Sequence, residues 1–154
     1  MRIYLAGPDV FRPDALAWAS EARRLLAEFG HQALIPLDGD ETTAVGIYAA
    51  NLRLIQSADA LIANLNPFRG VEPDSGTCFE VGYAVALGKP VVGYLTDTRP
   101  QRDKIALSAG DGRPMDRAGM LVEDFGLPVN LMLAVSCRIV AGGLAEAVQA
   151  LGER

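Results

Sequence analysis

Short apolar runs alternate with helical patterns along most of this chain, and that alternation limits its fold more than any other feature. The run "DALIANL" (59–65) has apolar residues on both parities, as a parallel strand buried on both faces requires. "RIYLA" (2–6), "HQALIP" (31–36), "KPVVGYL" (89–95) and "CRIVA" (137–141) predict four further strands. Between them, residues 13–30 predict a helix with Pro13 in its first turn, Gly30 at its end and an apolar stripe of Trp18, Ala22, Leu25, Leu26 and Phe29. Residues 43–58 carry Ile47, Leu54 and Ile55 at helical spacing, and "LAEAVQALGE" (144–153) closes the chain as a helix. Residues 75–88 predict a helix capped by Asp74 or Ser75 and ended by Gly88. Strands and helices in this order imply an α/β, flavodoxin-like doubly wound fold, a five-stranded parallel sheet with helices on both faces. No internal repeat or linker divides the 154 residues, so one domain over 1–154 is expected. Residues 96–128 are polar, Gly-rich and unpatterned, which predicts a functional loop.

Composition removes several function classes. The formal net charge is −5, with no block of Lys or Arg, which argues against nucleic acid as a partner. Cys78 and Cys137 are far apart in apolar contexts, and no Cys/His cluster suggests a metal. The single histidine, His31, sits at a helix-to-strand junction, so His-dependent nucleophilic mechanisms are disfavoured. "AGPDVFRP" lacks the G-x-G-x-x-G of dinucleotide sites, and no phosphate-binding P-loop is present. No segment approaches the length needed to span a bilayer, so no membrane partner and a cytoplasmic location are expected.

In an open parallel sheet, ligands bind beyond the carboxyl ends of the strands. That rule selects residues 7–11, 36–40, 64–76 and the segment after the fourth strand. The third of these leads into the helix where Glu80 is the only charged side chain from Ser75 to Gly88. A helix so apolar is expected to be buried nearly all round. A carboxylate buried there needs partners or a purpose. Without His, metal or nicotinamide, nucleophilic attack on an electrophilic sugar carbon suits it, with Asp74 as acid/base or positioning partner. The plainer readings are an N-cap for Asp74, a simple turn at Gly7-Pro8 and a helix-surface amide for Asn51. For Phe11 they are core or staple packing, against stacking on a base. Arg69 fits a local pair with Glu72, or a substrate phosphate, and a structural role is favoured.

"IYLAGPDVF", "ADALIANLNPFRGVEPDSGTCFEVGYAVALGKPVV" and "EDFGLPVNLMLA" together resemble the nucleoside 2-deoxyribosyltransferases over nearly the whole chain. The resemblance implies no cofactor and a place in nucleotide salvage. Its reaction is exchange of the base on a 2'-deoxyribonucleoside, with a free nucleobase as second substrate and a covalent deoxyribosyl-enzyme between two inversions. It implies Glu80 as nucleophile, Asp74 as ligand of the deoxyribose hydroxyls and Tyr4 as the group orienting Glu80. It further implies Asn130 and Met132 entering a neighbouring subunit's site, hence a homo-oligomer, at least a dimer. Gly7, Asp9, Phe11 and Asn51 complete the expected substrate-binding set. One departure stands out: where the family's lactic-acid-bacterial pattern has a proton-transferring aspartate, this chain has Asn51, and an amide carries no titratable proton. Asp9 and Asp40 qualify as substitutes on position alone. Hydrolysis of 2'-deoxynucleoside 5'-monophosphates and a non-catalytic nucleotide-sensing module are the competing readings.

Overall fold

The structure is a computed structural model that describes residues 1–105, 107–108 and 113–153. Five parallel strands form one sheet in the order β2-β1-β3-β4-β7: β1 Arg2–Ala6, β2 Gln32–Leu34, β3 Ala60–Asn64, β4 Val91–Leu95 and β7 Arg138–Ala141. β1 pairs with both β2 and β3, so the chain reverses its direction of travel across the sheet at β1. Such a switch point opens a crevice at the strands' carboxyl ends.

Strand parity distributes the core between the two faces. Ile3, Leu5, Ala60, Ile62, Val92 and Tyr94 pack with Ala19, Ala22 and Leu26 of α1 (Ala15–Glu28) and with α6 (Leu144–Gly152). Tyr4, Ala6, Leu61, Ala63, Val91 and Leu95 face α2 (Ala44–Ser57), α3 (Ser75–Ala86) and the short α5 (Leu131–Ala134). This parity sends the Tyr4 side chain toward the helix that carries Glu80.

The element order matches the expectation from sequence, and the differences are local. Pro13 precedes α1, whose N-cap is Asp14; Arg12 holds the Asp14 carboxylate. Phe29 is the C-cap and is exposed, because the chain leaves the helix there and turns through Gly30 at φ 72°. The segment after β4 holds a single turn of helix, α4 (Gln101–Lys104), and an antiparallel pair, β5 (Leu107–Ser108) with β6 (Met115–Asp116). Gln101 N–H bonds the Leu127 carbonyl and Lys104 Nζ donates to that of Pro128, which tie this segment's two ends together.

The expected all-round burial of α3 is not met within this chain. Val81 and Ala84 are buried, but Phe79 is 50% exposed and Val85 and Leu87 are also exposed. Phe79 lies between the rings of Tyr48 and Tyr83, so an aromatic ridge runs along the outer surface of α2 and α3. The apolar sequence of α3 reflects two faces: one packs on the sheet, and the other has no covering layer among the described residues. No helix of the described residues is long and apolar enough to cross a membrane.

Candidate active site

Three of the segments chosen by the strand-end rule converge on one cavity of about 430 Å³. That volume lies in the range of small-molecule sites. Gly7 and Phe11 line it from the segment after β1, and Pro36, Leu37, Gly39 and Glu41 from the segment after β2. Ile47 and Asn51 come from α2, and Asp74, Gly76, Thr77 and Glu80 from the start of α3.

Each functional side chain has a local cause for its position. Asp74 is the N-cap of α3, where its Oδ2 accepts from Thr77 N–H at 3.0 Å and Thr77 Oγ1 at 3.2 Å. Capping fixes the carboxylate at the cavity wall and the phase of α3, and Glu80 follows on the same side. Tyr4, fully buried on β1, donates its hydroxyl to Glu80 Oε1 at 2.6 Å. Asn51 Nδ2 reaches the same oxygen at 3.5 Å, while its own Oδ1 is buried without a hydrogen-bond partner.

Burial pushes the Glu80 carboxyl up to about 7, Tyr4's hydrogen bond opposes that rise, and the charge of Asp74 adds to it. Burial and the neighbouring Glu80 charge hold the Tyr4 hydroxyl far above its ordinary value. The pair is therefore a neutral donor and a carboxylate that is about half ionised near neutrality. Position 7 has no room for a side chain: a Cβ there would meet Asp9 Oδ2 at 2.8 Å and Asn64 Cβ at 2.9 Å. No Lys or Arg is among the described residues lining the cavity.

Phe11, 57% exposed, presents an aromatic surface to the cavity and stacks on Phe68 at 5.4 Å between centroids. The Arg69 guanidinium lies 4.6 Å from the Phe68 centroid and 5.4 Å from that of Phe11. Arg69 adopts φ 53°, a left-handed conformation uncommon for a side-chain-bearing residue. Its partner is thus this aromatic pair, and Glu72 instead accepts from Gln101.

Of the residues singled out from sequence, Glu80, Asp74, Asn51, Gly7 and Phe11 meet at the cavity, with Tyr4 behind Glu80. Asp9 does not line it. The short 3-10 turn Pro8–Phe11 buries Asp9, whose Oδ2 accepts from Asn64 Nδ2 at 2.8 Å. Asn130 and Met132 border a separate groove against the other side of α3, and Met132 is 72% exposed. Glu41, Leu37 and Ile47 were not singled out as site residues. Glu41 lies one position beyond the segment 36–40, in a polar loop without periodicity.

The family model for nucleoside 2-deoxyribosyltransferase matches residues 3–132. The chain belongs to this family. A solved structure of a 2-desoxiribosyltransferase from Leishmania mexicana superposes with a TM-score of 0.86 at 42% identity, covering 99% of this chain and 97% of that one. An uncharacterized protein of Schizosaccharomyces pombe is 30% identical over 93% of this chain and 80% of its own length. A putative 2'-deoxynucleoside 5'-phosphate N-hydrolase from Thermofilum pendens is 29% identical over 60% of this chain and 66% of its own. The protein is thus an enzyme of the nucleoside 2-deoxyribosyltransferase family, with the parallel α/β sheet of its structural relative.

Proposed function

We propose that this enzyme transfers the 2-deoxyribosyl group of a 2'-deoxyribonucleoside from one nucleobase to another through a covalent intermediate on Glu80. The observation that carries the reading is the Tyr4–Glu80 hydrogen bond of 2.6 Å at a cavity also lined by Asp74. Glu80 attacks C1', the bond to the first base breaks, and a second base displaces Glu80 from the opposite face. Asp74 accepts hydrogen bonds from the deoxyribose hydroxyls, and Phe11 gives the base a face to stack on. The reaction needs no cofactor. The name of the Leishmania relative, a 2-desoxiribosyltransferase, supports the same reading.

The oligomeric part of this reading draws on the exposed apolar surface. Met132 and Val135 are 72% and 76% exposed beside the uncovered face of α3, as residues contacting a neighbouring subunit would be. In the proposed homo-oligomer, Asn130 and Met132 complete the neighbour's site.

Hydrolysis of deoxynucleoside 5'-phosphates is the competing reading, prompted by the Thermofilum relative's name. A cavity whose described lining offers three carboxylates and no cation suits a phosphate poorly. Incubation with deoxyinosine plus adenine, followed by chromatography, separates the two readings. Deoxyadenosine is the expected product, and Glu80→Ala is expected to abolish it with the melting curve retained. Free hypoxanthine without a new nucleoside would refute transfer.

A further inference from the structure

We infer that Glu41 is the acid–base residue for the nucleobase, giving a proton to the departing base and removing one from the incoming base. This inference rests on the deoxyribosyl exchange proposed above. Breaking the bond from C1' to a base nitrogen leaves an electron pair on the base, which departs as an anion unless it gains a proton. Asn51, a cavity-lining amide at the position of the proton-transferring aspartate of the lactic-acid-bacterial pattern, has no titratable proton to give.

Among the described residues, the carboxyl groups that line the cavity are those of Glu41, Asp74 and Glu80. Glu80 must be ionised to attack. Asp74 is held by Thr77 at the start of α3, beside Glu80, where the sugar lies. Asp9 is only 8% exposed and is engaged by Asn64 outside the cavity lining, and Asp40 does not line the cavity either. Glu41 remains. It makes no hydrogen bond or ion pair with any described residue, so its carboxyl is uncommitted.

Its position agrees with the role. With C1' at Glu80 and the sugar at Asp74, the rest of the lining is left to the base, and it includes the apolar Phe11, Leu37 and Ile47 together with Glu41. Gly46 keeps the space open for this acid. A Cβ at position 46 would collide with the Glu41 carboxylate, approaching Cδ to 2.8 Å. Glycine in the first turn of α2 therefore permits the carboxyl to lie there.

The proton cycle closes within one turnover. In the first half, a Glu80 oxygen bonds to C1' and the C1'–N bond breaks toward the base. The Glu41 proton moves to a ring nitrogen such as N7 of a purine, so the base leaves neutral and Glu41 becomes a carboxylate. In the second half, the incoming base's ring nitrogen bonds to C1' and the C1'–O bond breaks back toward Glu80. Glu41 takes the N–H proton that the new base sheds, and both residues return to their starting forms.

A donor that needs no proton tests the inference directly. The base of 7-methyl-2'-deoxyguanosine already carries positive charge and departs neutral without protonation. Single-turnover base release would be measured from it and from deoxyinosine, with wild type, Glu41→Gln and Glu80→Gln. Glu41→Gln is expected to slow release from deoxyinosine by about 10²–10⁴-fold, the usual contribution of a general acid, and to leave release from the methylated donor nearly unchanged. Equal losses with both donors would mean a binding or structural role, and no loss with either would mean none; each overturns the inference. Failure of the underlying reading looks different: wild type would release base from neither donor, or Glu80→Gln would still release it. That result overturns both.

Discussion

Removing one hydroxyl, in Tyr4→Phe, should move the enzyme's working pH, and the size of the move follows from a single contact. The Tyr4 hydroxyl donates to Glu80 Oε1 at 2.6 Å from a fully buried ring, and this bond opposes the burial that holds the Glu80 carboxyl at about 7. A hydrogen bond to a charged group contributes about 1.5–3 kcal/mol. At about 1.4 kcal/mol per pH unit, losing it raises the Glu80 value by roughly one to two units, to about 8–9. Because the proposed nucleophile is the ionised form of Glu80, a higher value moves the rising limb of the pH–rate profile to higher pH. At pH 7 the wild-type carboxylate is about half ionised, and in the variant the fraction falls to about 1–10%. The variant's rate relative to wild type should therefore fall about 5- to 50-fold at pH 7 and approach unity by about pH 10. The assay is kcat/KM for base exchange from pH 5 to 10, which reports groups of the free enzyme. A rising limb that stays near pH 7 in Tyr4→Phe, or a loss uniform across pH, would refute the reasoning.

Three further substitutions separate the roles of Glu80 and Asp74. Glu80's folded value, about 7 against an ordinary 4.5, means that its ionisation destabilises the fold as pH rises from about 4.5 through 7. Glu80→Gln should remove about 2–3 kcal/mol of that loss, so its melting temperature should exceed wild type by several degrees at pH 8 and by much less at pH 5; equal differences at both values would contradict this. Asp74→Asn keeps an oxygen to cap α3, whereas Asp74→Ala removes the cap, at about 1 kcal/mol. Both should raise KM for the deoxynucleoside, but only Ala should lower the melting temperature. Asp74→Asn should also move the rising limb to lower pH, because the Asp74 charge raises the Glu80 value.

The five-stranded parallel sheet was legible because it depends on chain-wide patterning: apolar strands, capped helices and short links leave few parallel topologies. Asp74 was legible because it met the rule for a helix start, and Glu80 because it broke the pattern of an apolar run. What could not be read depended on local turns and on which apolar faces the chain itself covers. Asp9 and Phe11 are two residues apart, yet the 3-10 turn buries the first and exposes the second. Glu41 gave no signal because a polar loop has no period to break. The apolar residues of α3 read as all-round burial, although Phe79 and Val85 are exposed on a single chain. Hydropathy tells that a face is to be covered, but not that the cover belongs to the same chain.

The hydrogen bonding of Glu80 explains why an apolar helix can hold a carboxylate without disabling it. Both donors from the described residues, Tyr4 and Asn51, reach Oε1, one at 2.6 Å and the other at 3.5 Å. Oε2 receives none of the hydrogen bonds seen here, and Glu80 borders the cavity. A carboxylate met by two or three good donors on both oxygens is strongly stabilised as the anion, with a depressed pKa. Such an anion is a correspondingly weak nucleophile. With one strong donor on one oxygen, the chain keeps the side chain oriented. Burial raises the Glu80 value, and that single hydrogen bond offsets the rise only in part. A second strong donor aimed at Oε2 would be expected to stabilise the fold and slow the attack together, because both effects act on the same ionised state.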